Sequence, residues 1–383
     1  MMKVSVVSGC RADYGLLYWV MREIQSSQLL ELVTIVTGMH LSPEYGLTVG
    51  RFYEDGFPVT YQVDMALADD TPIEVTKSLG RAVIGFADAY QELQPDIVLI
   101  LGDRIEMLAA AQAAMVATIP VAHIFGGDTT EGAIDEAIRH SITKMSHIHF
   151  ASNSESAGRI IQMGENPSNV YNVGSTGIDA IRKHTPAGKA VLFEMIGFNP
   201  AKNNILITFH PATLGLASSR LELEALLSAL DEIEDCGFIF TRSNSDVGGR
   251  ELNLLIDRYV ERRSHSKAYS ALGGGYLSAL SHVDAVVGNS SSGLYEAPSF
   301  GVATVNIGDR QKGRMQASSI INCAANKADI LNAINRALTE DFSDTKNPFG
   351  DGYASARIIS VLEGLGKPKS LLQKHFFEGV DDV

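Results

Sequence analysis

A segment rich in glycine and serine, Gly288–Gly293, combines residue types that can bind a phosphate or diphosphate. It follows an apolar run, Val283–Val287, that is typical of a buried strand, and it precedes residues that can begin a helix. Three features of such a junction attract an anion: unpaired backbone amides, the hydroxyls of Ser290 and Ser291, and the positive end of a helix dipole. Glu296, further along, can accept hydrogen bonds from ribose hydroxyls. A simple helix cap is the alternative interpretation of the serines.

Acidic residues that follow two other apolar runs are candidates for acid–base chemistry. Asp103 and Asp128 come after such runs, and Asp135 and Glu136 lie on a segment with a helical pattern. Carboxylates that meet at one edge of a sheet raise one another's pKa, as general acid–base catalysis requires. Two simpler interpretations stay open. Asp103 could cap the next helix, and Asp135 could form only a surface ion pair with Arg139, worth about 0.3–0.5 kcal/mol.

Basic and polar residues at other predicted strand ends could bind the same anion. Arg11 follows the first strand and could reach a phosphate, or it could pair with Asp13 or face solvent. Arg104 directly follows Asp103. His210 opens the second half of the chain in the position that Arg11 has in the first. Asn244 offers a contact to a sugar or base, or it belongs to an Asx turn.

The composition narrows the class of protein. Hydrophobic residues make up 45% and charged residues 20% of 383, as in globular proteins. A net charge of −14 argues against nucleic acid or a membrane surface as partner. The cysteines are widely spaced, and Met1 leads into a strand-like run without a signal-peptide pattern, so we expect a cytoplasmic protein. Metal-ligand spacings and the G-x-G-x-x-G and P-loop motifs are missing from the sequence, and we predict neither metal nor cofactor.

Short apolar runs alternate with helical patterns from end to end, which favours parallel sheets covered by helices on both faces. The predicted strands are Val4–Val7, Leu32–Val36, Ile97–Leu101, Pro120–Ile124, His147–Ala151, Asn204–Thr208, Phe238–Thr241, Ala285–Val287 and Thr304–Ile307. The segment 177–202 lacks a strong strand and carries Pro186, Gly188 and Pro200, which break regular structure, so we place a domain boundary there. We expect an N-terminal domain at residues 1–180, a C-terminal domain at 181–350 and a helical tail at 351–383 that packs back toward the N-terminal domain.

Taken together, the motifs resemble those of the UDP-N-acetylglucosamine 2-epimerase family, and of its hydrolysing branch in particular. The resemblance rests on the segments Arg11–Gly15, Thr37–His40, Leu101–Arg104, Ile138–Lys144, Gly288–Gly293 and Val305–Arg314. It implies an α/β fold of two Rossmann-like, doubly wound domains that face a central cleft, as in B-type glycosyltransferases. It also implies that UDP-sugar and UDP bind in that cleft, that no metal takes part, and that the protein is a homodimer.

The same resemblance implies a mechanism. UDP leaves C1 of the sugar while a base removes the C2 proton, and water adds to the resulting 2-acetamidoglucal. The products are free UDP and the 2-epimeric sugar, which is N-acetylmannosamine when UDP-N-acetylglucosamine is the substrate. Catalysis is assigned to Asp103, Asp135, Asp128, Glu136 and His210, with Asp103 and Asp135 as the acid–base pair. Substrate and UDP binding are assigned to Arg11, Gly15, His40, Arg104, Arg139, Asn244, Ser290, Ser291, Glu296 and Arg310.

One position departs from the family pattern. Many members carry a catalytic Glu two residues after His123, where this chain has Phe125, and Asp128 is the nearest acid. We expect UDP-N-acetylglucosamine as substrate, in a sialic-acid type of pathway, with UDP-2,4-diacetamido-2,4,6-trideoxyglucose as the nearest alternative. Further alternatives are a non-hydrolysing 2-epimerase, a retaining glycosyltransferase of the same fold, and a catalytically silent nucleotide-sugar sensor.

Overall fold

The computed structural model describes residues 1–67, 71–129, 134–211, 216–242, 249–270, 272–273 and 275–379. The chain forms two compact units. Unit 1 consists of Met1–Arg182 together with Phe349–Val383, and unit 2 consists of Lys183–Pro348. Each unit is built on one parallel β-sheet.

Unit 1 has a seven-stranded sheet in the order β3-β2-β1-β4-β5-β6-β7. Its strands are β1 (Met2–Ser8), β2 (Leu30–Thr37), β3 (Tyr61–Val63), β4 (Ile97–Leu101), β5 (Val121–Ile124), β6 (Ile148–Ala151) and β7 (Val170–Asn172). Its helices before unit 2 are α1 (Arg11–Ser26), α2 (Gly50–Glu54), α3 (Pro72–Leu93), α4 (Ile105–Val116), α5 (Ile134–Met145), α6 (Ser154–Gln162) and α7 (Thr176–Lys183).

The central strand β4 of unit 1 is buried on both faces, which explains its uninterrupted apolar sequence. In β4, Ile97, Leu99 and Leu101 pack in one apolar cluster with α1, whereas Val98 and Ile100 pack in another with α3 and α4. Successive side chains of a strand point to opposite faces, so this alternation attaches helices to both sides of the sheet. The loops that follow the parallel strands therefore all lie at the same edge.

Unit 2 repeats this architecture with a six-stranded sheet in the order β10-β9-β8-β11-β12-β13. Its strands are β8 (Asn203–Thr208), β9 (Cys236–Thr241), β10 (Ser266–Tyr269), β11 (Ala285–Gly288), β12 (Thr304–Ile307) and β13 (Ile320–Cys323). Its helices are α8 (Lys189–Ile196), α9 (Leu216–Leu230), α10 (Gly249–Glu261), α11 (Gly275–Leu280), α12 (Ser292–Tyr295) and α13 (Lys327–Thr339). Ile205 and Ile207 of β8 pack in a cluster with α9, α10 and α13, and Leu206 packs in the cluster of α8 and α11 on the opposite face.

After unit 2 the chain returns to unit 1 and forms α14 (Ala354–Gly364). Ile358 and Leu362 of α14 are fully buried in the apolar cluster that contains the α1 side chains. The Asp179 carboxylate accepts hydrogen bonds from the backbone amides of Ala354 and Ser355, at 2.9 and 2.6 Å. These bonds satisfy amides in the first turn of α14 that have no partner within the helix.

The expected fold class of two parallel-sheet α/β domains is confirmed, and each of the nine predicted strands is present. Four strands were not predicted from the sequence, and they are the edge strands of the two sheets: β3, β7, β10 and β13. Edge strands are short and half-exposed, so they lack the apolar run that marks a central strand. Within the described residues, no helix has the length and apolar character needed to cross a membrane.

Candidate active site

Asp103 lies at the C-terminal end of β4 and forms an ion pair with Arg139 of α5. The Arg139 guanidinium is buried, and its Nη2 donates to one carboxylate oxygen of Asp103. The N-cap of α4 is Arg104, so Asp103 does not cap that helix. This carboxylate is therefore held at the sheet edge by a buried cation, and about a quarter of its side chain remains exposed.

Arg139 also organises other parts of this edge. Its Nη1 donates to Glu136 Oε2 at 3.1 Å and to the backbone oxygen of Asp128 at 2.8 Å. The other oxygen of Glu136 pairs with His140 Nε2 at 2.9 Å. Arg139 was assigned to substrate binding; in the structure its guanidinium contacts Asp103, Glu136 and the Asp128 carbonyl. Asp135 is half-buried and has no ion-pair partner among the described residues, so the surface pair with Arg139 that was the alternative interpretation does not form.

The β5–α5 connection contains Phe125 and Asp128. Phe125 has a φ of 67°, in the left-handed region, which costs a residue with a side chain about 1–2 kcal/mol. Its ring is half-buried against the α1 side of the core. The Asp128 carboxylate accepts hydrogen bonds from the hydroxyls of Ser152, at 2.8 Å, and Ser156. These bonds tie the Asp128 carboxylate to the residues that follow β6, so the side chain holds the β5–α5 connection against that part of the unit.

His123 is a buried structural residue beside the Asp103 loop. Burial lowers its pKa to about 3, against the opposing effect of the hydrogen bond to the Gly102 carbonyl oxygen at 2.8 Å. The neutral ring therefore donates from Nε2 to the carbonyl oxygen of Gly102, the residue that precedes Asp103. His40 is similar: burial lowers its pKa to about 4, and its two nitrogens contact the hydroxyls of Ser8 and Thr48 at 3.0 and 2.7 Å. Both of its ring nitrogens thus have protein partners, and His40 supports its loop.

The β1–α1 loop presents Arg11 at an open position. Arg11 is exposed and forms no ion pair with Asp13 in the described part of the chain. Asp13 is buried and accepts hydrogen bonds from the amides of Gly9 and Cys10 at 3.1 and 3.2 Å, so it caps α1. A Cβ placed on Gly15 would contact nothing within 4 Å. The structure of the chain itself therefore does not require glycine there, and the space beside it is open to a ligand.

Arg104 has a buried partner in Glu106, whose side chain is 1% exposed. Nη2 of Arg104 donates to Glu106 Oε1 at 3.2 Å. The Arg104 side chain itself remains 37% exposed, so the carboxylate fixes one end while the rest of the guanidinium can face a ligand. Glu106 was not singled out from the sequence because its role depends on the fold.

In unit 2, the ends of β8 and β11 are joined through Asn289. Its side-chain amide accepts from the His210 amide at 2.7 Å and donates to the His210 carbonyl at 2.8 Å. A Cβ on Gly288 would lie 1.9 Å from the Thr208 carbonyl oxygen, and its φ is 137°, so only glycine allows this close approach. Arg310 and Gln311 both donate to the Asn289 carbonyl, at 3.0 and 2.8 Å.

The serine loop offers backbone donors. The amides of Ser290 and Ser291 make no hydrogen bond to the described part of the chain, whereas those of Leu294 and Tyr295 bond to Ser291 O. The helix that follows, α12, has only 4 residues. So short a helix has a small dipole, and the predicted dipole contribution at this loop is minor. Any anion here would bind through amides and hydroxyls.

Next to this loop lies a cavity of about 280 Å³ lined in part by Thr208, Tyr276 and Ser290. Glu296 borders the same loop, and its carboxylate accepts a hydrogen bond from the Ser292 hydroxyl. Asn244, the other polar residue predicted for nucleotide binding, lies outside the described residues. No group of three or more His, Cys, Asp or Glu side chains among the described residues could hold a metal ion.

A sequence model of UDP-N-acetylglucosamine 2-epimerase matches residues 22–363. The chain belongs to the UDP-N-acetylglucosamine 2-epimerase family.

Its relatives place it in the hydrolysing branch of that family. A GDP/UDP-N,N'-diacetylbacillosamine 2-epimerase (hydrolyzing) from Campylobacter jejuni is 41% identical over 85% of this chain and 85% of that protein. A UDP-N,N'-diacetylbacillosamine 2-epimerase (hydrolyzing) from Legionella pneumophila is 33% identical over 97% of this chain and 98% of its own. The polysialic acid biosynthesis protein P7 of Escherichia coli is 33% identical over 99% and 98%.

Solved structures share the epimerase fold. A Listeria monocytogenes UDP-N-acetylglucosamine 2-epimerase described as putative superposes with a TM-score of 0.79 at 18% identity, covering 96% of this chain and 98% of that one. The Neisseria meningitidis UDP-GlcNAc 2-epimerase bound to UDP-GlcNAc superposes with a TM-score of 0.76 at 20% identity, covering 95% and 100%. At these identities the comparison shows the fold.

Within this epimerase fold, the residues at the strand ends were predicted from the sequence, but the side chains that hydrogen-bond to them were not. Tyr276 and Glu106 are absent from the predicted site, and Asn289 was seen only as part of a motif. Asn289 was open to recognition, because an Asn directly after a strand often bonds to nearby backbone groups. Tyr276 was not, because its partner Ser292 is 16 residues away in the chain and only the fold brings the two together. Glu106 is near its partner Arg104 in sequence, but its burial is evident only from the fold.

Proposed function

We propose that this chain is a hydrolysing 2-epimerase of a UDP-linked 2-acetamido sugar. It would convert the UDP-sugar and water into UDP and the free 2-epimeric sugar. The observation that carries this proposal is the identity of 41% and 33% to two relatives that are named as hydrolysing 2-epimerases. We also propose that it works as a cytoplasmic homodimer, as its resemblance to the family implies.

For the substrate, we propose UDP-N,N'-diacetylbacillosamine, which is UDP-2,4-diacetamido-2,4,6-trideoxyglucose. Two of the relatives carry this compound in their names. The half-buried Phe125 ring stands where many family members have a catalytic Glu, and an apolar group suits a sugar without a 6-hydroxyl. UDP-N-acetylglucosamine is the second candidate, favoured by the relative of 33% identity named for polysialic acid biosynthesis.

Departure of the diphosphate governs the chemistry of such a reaction. The C2 proton is not adjacent to a carbonyl, so it becomes acidic only as positive charge develops at C1. Donors that stabilise the departing UDP therefore supply much of the catalysis. We assign this task to Arg11 and Arg104 of unit 1 and to His210, Ser290 and Ser291 of unit 2. The exposed Arg11 supports the assignment, as do the amides of Ser290 and Ser291, which make no hydrogen bond to the described residues.

We assign the proton transfers at C2 to Asp103 and Asp135. Arg139 occupies one oxygen of Asp103, which leaves the other oxygen for a proton. Asp135 is half-buried without an ion-pair partner in the described part of the chain. One acid would remove the C2 proton as the C1–O bond breaks. The other would deliver a proton to C2 from the opposite face, while water adds its hydroxyl to C1.

A UDP-release assay with both candidate substrates tests this proposal. Each sugar nucleotide is supplied over the same concentration range, and free UDP and the sugar product are quantified. We expect kcat/KM to favour the diacetamido sugar by about tenfold or more, since such a ratio corresponds to roughly 1.4 kcal/mol of differential contact. A preference for UDP-N-acetylglucosamine would overturn the substrate assignment. A UDP-linked 2-epimer without free UDP would overturn the hydrolytic reaction.

A further inference from the structure

A chain of hydrogen bonds in unit 2 runs from a tyrosine to the carboxylate beside the serine loop. The Tyr276 hydroxyl bonds to Ser292 Oγ, and Ser292 Oγ donates to Glu296 Oε2. A serine hydroxyl has a single proton. Because that proton goes to the carboxylate, the Tyr276 hydroxyl must be the donor in the first bond. The direction is thus fixed as Tyr276 to Ser292 to Glu296.

This arrangement uses only one oxygen of the carboxylate. Among the described residues, Ser292 is the sole side chain that bonds to Glu296, and it does so at Oε2. Oε1 is available to accept a hydrogen bond from a molecule at the loop. Tyr276 and Ser292 both line the cavity of about 280 Å³ next to Ser290. Ser292 therefore links the Glu296 carboxylate to the wall of a space that can hold part of a ligand.

We propose that Tyr276 is a positioning residue for nucleotide binding, which orients Glu296 through Ser292 so that Oε1 accepts a hydrogen bond from a ribose hydroxyl. The inference rests on the proposed function, because it takes UDP as the ligand. Tyr276 is thereby added to the proposed nucleotide site, where its hydroxyl acts on Glu296 through the Tyr276–Ser292–Glu296 hydrogen bonds, here called the relay. Without that hydroxyl, Ser292 can turn its proton to other acceptors, and the carboxylate loses its fixed direction.

The charge of Glu296 gives the relay a second effect. Burial raises the pKa of this carboxyl above its usual value, and the hydrogen bond from Ser292 opposes the rise. The donor therefore helps to keep the group ionised, which is the state that accepts hydrogen bonds at both oxygens. A tyrosine that donates to the serine polarises its hydroxyl and strengthens this support.

Calorimetric titration of Tyr276→Phe with UDP and with 2′,3′-dideoxy-UDP tests the inference. The variant removes only the hydroxyl. We expect its affinity for UDP to fall about five- to tenfold, as for the loss of one well-placed hydrogen bond. Affinity for the dideoxy nucleotide should change less than about twofold, because that ligand has no ribose hydroxyl to lose. Ser292→Ala, which breaks the middle of the relay, should give the same pattern.

Tyr269→Phe is the matched control. Tyr269 is another half-buried tyrosine of unit 2, and its hydroxyl donates to the Ile196 carbonyl at 3.0 Å, away from Glu296. Its loss should leave UDP affinity unchanged, and thermal unfolding shows whether each variant folds. In a Glu296→Gln background, Tyr276→Phe should have no further effect on UDP affinity.

Several outcomes would overturn the inference. Unchanged UDP affinity in Tyr276→Phe would show that the relay does not act on binding. An equal loss for UDP and the dideoxy nucleotide would assign Tyr276 to another part of the ligand. If the wild-type protein does not bind UDP, the proposed function itself fails. If the wild-type protein binds UDP and Tyr276→Phe binds it equally well, only the inference about Tyr276 fails.

Discussion

Replacing Arg139 with methionine should destabilise unit 1 because it removes a buried guanidinium that pairs with two partly buried carboxylates. Arg139 is 6% exposed, and its partners Asp103 and Glu136 are 24% and 29% exposed. Methionine fills most of the same volume, so the change tests the charge more than the packing. The Asp128 carbonyl, which accepts from Nη1, also loses a donor.

The magnitude follows from the burial of the three groups. Breaking a buried ion pair by removing one partner costs about 3–5 kcal/mol. Because about a quarter of each carboxylate side chain reaches solvent, water offsets part of this cost, and we expect about 2–3 kcal/mol. For a unit of this size, that loss corresponds to a decrease in Tm of roughly 5–10 °C.

Differential scanning calorimetry at neutral pH measures the effect. Lys77→Met is the control in the same unit, because Lys77 forms an exposed ion pair with Glu74. It should change the free energy of unfolding by less than about 0.5 kcal/mol. Adding Asp103→Asn to Arg139→Met should restore part of the stability, since the double variant no longer has a charged Asp103 that has lost this guanidinium. A loss below about 1 kcal/mol for Arg139→Met, or no restoration in the double variant, would refute this reasoning.

Three further predictions concern the glycine loop, the buried histidines and catalysis. Gly288→Ala should destabilise unit 2 by more than about 3 kcal/mol and abolish UDP binding, because its Cβ would overlap a β8 carbonyl oxygen. The control Gly308→Ala has a φ of 71° but no described atom within 4 Å of its Cβ, and it should cost only about 1–2 kcal/mol. Equal effects of the two substitutions in urea unfolding would contradict the steric argument. His40 and His123 have folded pKa values of about 4 and about 3, below the unfolded value, so the unfolded state binds more protons as pH falls. Stability should decline from about pH 6.5 downward, by roughly 1–2 kcal/mol per histidine between pH 7 and pH 5, and a flat urea midpoint over that range would be inconsistent with neutral buried rings. Asp103→Asn should lose turnover yet keep its UDP affinity within about twofold, whereas parallel loss of kcat and affinity would make Asp103 a structural residue.

Much of the fold could be predicted from the sequence because the central strands carry an unmistakable signal. Ile97–Leu101 is apolar throughout and Val4–Val7 is apolar except for the buried Ser5, since both faces of these strands are covered. The edge strand Tyr61–Val63 has only one fully buried residue and no such pattern. Its pairing with β2 depends on the register of a neighbour distant in sequence, which a local pattern does not contain.

The candidate site was predictable in part, for a related reason. Residues that directly follow a predicted strand lie at the sheet edge by topology alone, so Asp103 and Ser290 could be named from their positions. The partners of such residues could not. Arg139 was assigned to substrate binding from the family resemblance, and helical spacing suggests for it only neighbours within α5. In the fold it meets Asp103, far away in sequence. The length of α12 was likewise not evident, because the residues after the serines can begin a longer helix.

We propose that this chain eliminates UDP from its sugar nucleotide and then adds water with inversion at C2. Proton NMR of the reaction in deuterated water is the decisive measurement. We expect free UDP together with a 2-epimeric sugar that carries deuterium at C2, because the original C2 proton is lost and a solvent deuteron replaces it. Free UDP with an unepimerised sugar that retains its C2 proton, or a 2-epimer still linked to UDP, would contradict it.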